Sequence, residues 1–309
     1  MHDQSTLSGS WDVLGLGAVA VDDLIYLDEY PAPDSKVRVQ ETRREGGGLC
    51  GTALVAAARL GARAAYAGAL GSDELSTFTV QQLQNEGIDC SAVILQPNAR
   101  PRHSTILVEQ AHGTRTILAS DEGWTELPPE YITPQLITRA KVLFIDHCVP
   151  HSGIAAAKVA REHNIPVVAD IERLNVPRIE ELLNSVDHLI VGVKCARELT
   201  NEDDVKSMVK VLSRTHEVAV VTHGEHGCWF SKRGEPVLHQ PAFQINVVDT
   251  TGCGDVFHGA YAAGLARGDN VETCVRTAAA CAALKATQHG GRRGIPNREQ
   301  IKQFMQNDI

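Results

Sequence analysis

The chain has 309 residues, 43% of them hydrophobic and 22% charged, and a formal net charge of −9. This is the composition of a globular protein with a sizeable core, and its acidic balance offers no basic field for nucleic acid or anionic lipid. No apolar stretch approaches the about 20 residues a bilayer span requires.

The N-terminal "MHDQSTLSGSWD" lacks the basic start and apolar run of a secretory signal, so a cytoplasmic location is expected. Eight cysteines, at 50, 90, 148, 195, 228, 253, 274 and 281, form no C-x-x-C pair and are read as reduced thiols. His223 and His226 sit three apart in a glycine-broken turn without metalloprotease spacing, which favours a structural or solvated role.

Residues 11–27 predict a buried strand, a turn and a second strand. Residues 30–48 are extended and partly alternating, with Val37, Val39 and Glu41 on one face, as in a sheet with one solvated side. Residues 50–61 form a small-residue helix closed by Gly61, 64–71 a short buried strand, and 73–87 an amphipathic helix. Residues 102–120 predict a β-hairpin turning at Gly113.

From about residue 140 strands and helices alternate: strands over 140–147, 165–171, 186–192 and 217–224, with helices over 151–164, 177–185 and 202–215. Such a rhythm predicts a mostly parallel sheet covered on both sides. A meander over 227–243 and two alanine-rich helices complete the chain. We read one α/β domain, residues 1–309, with a small β-sheet lid formed by about 17–48 and 100–121.

"GLGAVA" (15–20) matches G-x-G-x-x-A, but a strand pattern follows where a dinucleotide site needs a helix, so it reads as a turn. "EGGGLCGTALVAAARLG" (45–61) puts three glycines before a helix, where backbone can approach a ligand closely. "DTTGCGDVFHGAYAAGLARG" (249–268) is more pointed. Gly252, Cys253 and Gly254 lead into a helix whose free N–H groups and dipole form an anion cradle. Asp255, in the first turn, is expected to stay ionised in that field and to act as a general base, although an aspartate there can also merely cap the helix.

With these motifs in hand, the chain resembles the PfkB, or ribokinase-like, carbohydrate kinases. "DTTGCGD" is similar to the family's D-T-x-G-A-G-D signature, "VVTHGEHG" (220–227) to its nucleotide-loop segment, "GGG…AAARLG" to its N-terminal glycine signature and "GGRRGIP" (290–296) to its C-terminal loop. The resemblance implies a three-layer α/β/α fold with a small β-sheet lid, and ATP-dependent phosphorylation of a primary hydroxyl, usually of a sugar. It also implies Asp255 as catalytic base, Gly252, Cys253 and Gly254 as the anion hole, and Mg²⁺ bridging phosphate oxygens. Thr222, Gly224, Gly227 and Thr251 fall with the nucleotide. Asp22, Gly47 and Gly48 fall where the family holds sugar hydroxyls. The stretch "AAACAALKATQHGG" borders adenine and, in many members, a loop for K⁺ or another monovalent cation.

The chain departs from the family pattern at three places. Cys253 replaces an alanine, and a thiol at a helix N-terminus is expected to have a lowered pKa. Thr52 falls where many members carry a sugar-binding asparagine. Gly192 and Cys195 occupy the places of the N-x-x-E motif tied to Mg²⁺, so that motif is absent and Glu198 does not replace it. The nearest branch is the sulfofructose-kinase-like one. There Lys36 in the lid could pair with an anionic substrate, but "ILASDEG" (117–123) and "FIDHCVPH" (144–151) lack its sulfonate-binding Asn and Arg; Ser120, Asp121 and His147 could shape a different pocket. A ketose or ketose derivative is the favoured acceptor. The alternatives are a nucleoside kinase, for which the lid offers only Tyr26, Tyr30 and Trp124 as base-stacking aromatics, and a non-catalytic sugar or nucleotide sensor. The lid's open sheet face and edge suggest a homodimer.

Overall fold

The computed structural model describes residues 10–109, 111 and 114–306; the hairpin turn expected at Gly113 lies outside the described residues. The strands are β1 (Trp11–Leu16), β2 (Ala20–Leu27), β3 (Glu41–Gly47), β4 (Ala64–Leu70), β5 (Asp89–Leu95), β6 (Arg102–Glu109), β7 (Thr114–Ser120), β8 (Ala140–Asp146), β9 (Val167–Asp170), β10 (His188–Gly192), β11 (Val218–Thr222), β12 (Cys228–Lys232) and β13 (Leu238–Gln240). The helices are α1 (Leu49–Arg59), α2 (Glu74–Asn85), α3 (Pro134–Ile137), α4 (Pro150–Glu162), α5 (Ile179–Asn184), α6 (Val193–Thr200), α7 (Val205–Leu212), α8 (Cys253–Arg267), α9 (Val271–Ala286) and α10 (Arg298–Gln306).

A large sheet runs β13-β12-β11-β10-β9-β8-β1-β4-β5, and a small one β3-β2-β6-β7. In the large sheet β12 alone runs opposite to the other strands. The near-continuous apolar runs follow from burial on both faces. On β8, Val142 and Phe144 join Leu54, Phe257, Tyr261 and Cys281 of α1, α8 and α9. Leu143 and Ile145 join Leu136, Ala156, Leu182 and Met208 of α3, α4, α5 and α7 on the other face. Full burial of each such large side chain contributes about 1.5–3 kcal/mol.

The small residues of α8 have a packing cause. A Cβ on Gly259 would stand 1.9 Å from the Ala53 carbonyl oxygen of α1, so only glycine lets these helices approach. The turn reading of 15–20 is borne out, since β2 and no helix follows β1. Gly17 is required there because a Cβ would meet Asp146 Oδ2 at 2.2 Å, the atom to which Ala18 N–H donates at 2.7 Å. All eight cysteines are free thiols, and among the described residues no helix is long and apolar enough to cross a membrane.

Residues 31–40 differ from expectation. They form no strand, and Val37 and Val39 are 48% and 41% exposed. The β2–β3 ladder ends at the Tyr26–Glu41 pair, capped by Gln40 N–H donating to the Tyr26 carbonyl at 3.0 Å; before that point the chain, carrying Pro31 and Pro33, has no partner strand. The edge strand β5 and helices α3, α6 and α10 are further additions to the sequence reading.

His188 of β10 is 3% exposed, with Nδ1 2.8 Å from the Tyr261 hydroxyl. Burial pulls its pKa down from 6.5 to about 4. The unfolded chain therefore binds a proton there below pH 6.5 that the folded chain refuses, so this contribution to stability is present above 6.5 and lost as pH falls toward 4. Urea unfolding of wild type and His188→Gln at two pH values checks this. Their stability difference should shift by about 2 kcal/mol in the variant's favour between roughly pH 7.5 and 5.

Candidate active site

Ligand sites in open α/β sheets form beyond the carboxyl ends of the strands, and the chemistry-bearing residues gather there. Helix α8 starts at Gly252, which is left-handed (φ 75°, ψ 4°) and gives no side-chain cap. The Cys253 N–H turns back to the Thr250 carbonyl at 3.2 Å. The uncapped first turn leaves the N–H groups of Gly254 and Asp255 for an anion. A Cβ on Gly254 would meet nothing within 4 Å, so open space lies in front of this turn.

The preceding loop is braced by Asp249. Its carboxylate accepts from Thr251 N–H (2.8 Å), the Thr251 hydroxyl (2.6 Å) and Gly290 N–H (2.9 Å). Burial opposes ionisation there, but these bonds prevail and hold its pKa below the usual range. The fully buried Lys285 donates to the Asp249 carbonyl at 2.8 Å, joining the end of α9 to the same loop. Thr251 thus has its hydroxyl committed to bracing the turn.

Asp255 is half-buried. Burial first, then the carboxylates of Asp170 and Glu172, push its pKa well above the ordinary aspartate value, while Arg292 opposes the shift. This corrects the expectation that the helix field alone keeps Asp255 ionised: burial first, then the neighbouring Asp170 and Glu172, favour its protonated form. Asp170 ends β9 and is 2% exposed; burial and the charges of Glu172 and Asp146 raise its pKa as well. One carboxylate oxygen from each of Asp170, Glu172 and Asp255 lies within 4.8 Å of the other two. Asp146, at the end of β8, is pushed up to about 6 by burial, against N–H bonds from Ala18 and Cys148.

The second group surrounds Asp22. Burial raises its pKa, with a Ser104 hydrogen bond and the Arg292 charge opposing. Gly47 lies so close that a Cβ would stand 2.2 Å from Asp22 Oδ2, and Gly48 (φ 85°) would place one 2.5 Å from the Ala18 carbonyl. Arg292 Nη2 donates to the Gly47 carbonyl at 2.6 Å and its Nε to the Thr52 hydroxyl at 3.3 Å. Burial draws the Arg292 pKa down to about 10. Arg59 pins this loop by donating to the Arg292 and Ile295 carbonyls at 3.0 and 2.9 Å. Arg292 is near enough to both Asp22 and Asp255 to bias their charges, and so links the two groups.

Asp22, Gly47, Gly48 and Thr52 thus converge. Lys36 does not join them: it stands in the exposed 31–40 loop and makes no ion pair among the described residues. The cation beside Asp22 is Arg292 instead. Asp121 and His147 line a cavity of about 480 Å³ with Arg102, Trp124, Cys148 and Arg173; Ser120 is not part of that lining.

On the nucleotide side, Thr222 ends β11, Gly224 (φ 52°) opens a single helical turn and Gly227 (φ 83°) closes it. A Cβ on Gly227 would meet the Gln240 carbonyl at 2.1 Å, so the loop packs directly on the end of β13. A cavity of about 550 Å³ beside the loop is lined by His223, His226, Trp229 and His239. Trp229 and His239 stack at 4.1 Å.

The lowered pKa expected for Cys253 is overturned. Burial pushes its thiol up to about 11, with Lys285 only partly offsetting this, and Sγ donates to the Ala282 carbonyl at 3.5 Å. Iodoacetamide at neutral pH should therefore label Cys253 slowly, and Cys253→Ala should keep nearly wild-type turnover; rapid labelling at this position, read by peptide mass spectrometry, contradicts the burial argument.

Sequence reasoning missed Asp170, Glu172, Lys285 and Arg292. The available signal was an Asp-x-Glu pair directly after a buried strand, at the edge where such sheets bind ligands. In the first turn of α6, where the absent N-x-x-E motif would fall, there is no acidic residue, and Cys195 is buried.

The pfkB family carbohydrate kinase profile matches residues 13–298. Ribokinase of Haemophilus influenzae is 27% identical over 301 residues, spanning 94% of this chain and 97% of its own. Ketohexokinase of Mus musculus is 26% identical over 291 residues, spanning 90% and 97%. A solved structure from Agrobacterium tumefaciens, 31% identical, superposes with a TM-score of 0.88 over 97% of this chain and 98% of its own.

Proposed function

This chain belongs to the pfkB family of carbohydrate kinases and has its ribokinase-like three-layer fold, and on that premise we propose that it transfers the γ-phosphoryl group of ATP to a primary hydroxyl of a sugar, a ketose or ketose derivative. The observation that carries this reading is Asp255 in the uncapped first turn of α8, linked through Arg292 to the polar Asp22 group.

In this reading Asp22, Ser104 and Thr52 orient sugar hydroxyls, and Arg292 holds the Gly47 backbone and Thr52 in place. Asp255 takes the proton of the attacking hydroxyl. The first-turn N–H groups of α8, exposed by Gly252 and Gly254, stabilise charge on the transferring phosphoryl group. Thr222, Gly224 and Gly227 line the nucleotide, with Thr251 holding the adjoining turn. Mg²⁺ with the ATP neutralises phosphate oxygens when bound, and the all-oxygen donor set of Asp170, Glu172 and Asp255 has the chemistry that suits it. A monovalent cation beside 278–291 belongs to the same proposal, read out as K⁺ against Na⁺ activation.

The four-stranded sheet, within about 17–48 and 100–121, serves as the lid of a single domain. Its strand β7 is exposed throughout, with Ile117 and Leu118 51% and 56% accessible. A second copy covering this face is part of the proposal, and light scattering of the purified protein measures it. The similarity to a ribokinase and a ketohexokinase supports a sugar acceptor.

A coupled ADP-release assay across ketoses, aldoses and nucleosides tests the function. Turnover with a ketose is the expected result. Turnover confined to nucleosides replaces the sugar reading with a nucleoside kinase, and tight ligand binding without any turnover replaces it with a sensor.

A further inference from the structure

Resting on the kinase reading, we infer that Asp170, Glu172 and Asp255 form a divalent-cation site in the protein before any nucleotide binds, with Glu172 supplying the acid missing from the first turn of α6.

The geometry comes from two elements. Asp170 ends β9, and Glu172 follows two residues on, across the buried Ile171. Asp255 meets them from the first turn of α8. Their carboxylate oxygens come within 4.8 Å of one another. Octahedral Mg²⁺ with bonds of about 2.1 Å spaces its oxygens roughly 3–4 Å apart, so a rotation of the exposed Glu172 or one bridging water closes the remainder.

A second observation is independent of the clustering. Asp170 is 2% exposed, yet its Oδ2 has no hydrogen-bond partner. The nearest cationic candidate, His258 Nδ1, is 3.4 Å away. That nitrogen is directed to the Gly254 carbonyl at 2.7 Å, and Nε2 to the Ile190 carbonyl at 3.0 Å. No Lys or Arg makes an ion pair with Asp170, Glu172 or Asp255 among the described residues. A buried carboxylate oxygen left without a partner is costly, and a bound cation removes that cost.

The chemistry selects the ion class. The donors are hard oxygens without thiolate or imidazole, which disfavours zinc. Exposure grades from buried Asp170 through half-buried Asp255 to exposed Glu172, so the open side is left for water and phosphate oxygens. Few carboxylates plus retained water is the habit of Mg²⁺.

The test is a Mn²⁺ titration followed by electron paramagnetic resonance, on the full chain without nucleotide or sugar. One Mn²⁺ per chain, displaced by Mg²⁺, is expected. Glu172→Gln and Asp170→Asn should each weaken binding about tenfold or more, whereas Glu198→Gln on the exposed face of α6 should bind like wild type. Absence of Mn²⁺ binding, or loss in Glu198→Gln with Glu172→Gln unaffected, overturns the site. Glu172 is exposed, so that variant's fold is not at risk. The ADP-release assay separates the two proposals: turnover without Mn²⁺ binding to the free protein sinks only the cation site, and Mn²⁺ binding without turnover on any acceptor sinks only the kinase reading.

Discussion

Asp255→Asn should lower kcat by about 10²–10⁴-fold, the range lost with a general base, while thermal unfolding shows an equal or higher Tm. The two outcomes have one cause. Asn keeps the side-chain shape in the first turn of α8 but removes a charge that burial, Asp170 and Glu172 all disfavour. Loss of repulsion among partly buried carboxylates stabilises the fold, and loss of the proton acceptor stops the chemistry. A residue present only as a helix cap would behave differently, with Tm falling and kcat nearly unchanged.

The pH profile adds a sign. A base acts only when deprotonated, and the pKa of Asp255 is raised. The kcat/KM of wild type should therefore fall with one proton on the acidic side, and a Mg²⁺ held at Asp255 moves that limb to lower pH. The residual activity of Asp255→Asn should lack that limb. A wild-type limb surviving unchanged in the variant assigns the base elsewhere.

Gly252→Ala should lower kcat by about 10²–10³-fold, comparable to losing an oxyanion donor, and should cost about 1–2 kcal/mol of stability. Gly252 sits at φ 75°, and an added Cβ would stand 2.9 Å from the Gly291 carbonyl oxygen. Relief requires the turn to rotate or the 290–294 loop to retreat, and either displaces the N–H groups of the first turn. Gly254→Ala provides the contrast. Its added Cβ meets no protein atom within 4 Å, so stability should hold while activity falls, because the methyl group enters the space left for phosphate. Chemical denaturation and steady-state kinetics on both variants separate turn geometry from access. Full activity in both removes the anion-cradle assignment.

Much of the fold was legible because its signals are local. Strand and helix alternation after residue 140, terminal glycines such as Gly61 and Gly87, and the paired apolar arms of the hairpin all depend on neighbours within a few residues. β5 was missed because it is an edge strand without a fully buried face, its residues grading from half-buried to exposed. Residues 31–40 read as extended, yet extension makes a strand only when a partner ladder is present, and the β2–β3 pairing stops at Glu41.

The sequence by itself determined the α/β architecture, the small second sheet, the glycine-bounded entry to α8 and the candidacy of Asp255, since each is written in contiguous residues. Only the tertiary structure decided what surrounds that aspartate. Asp170 and Glu172 reach it from the end of β9, and Arg292 ties the Asp22 group to it from a loop 240 positions after Thr52. The same burial that brings these groups together lifts the Asp255 and Cys253 pKa values, where a helix dipole alone would lower them. Desolvation and charge density belong to a place in space, and a place assembled from separate strands has no mark in any one stretch of the chain.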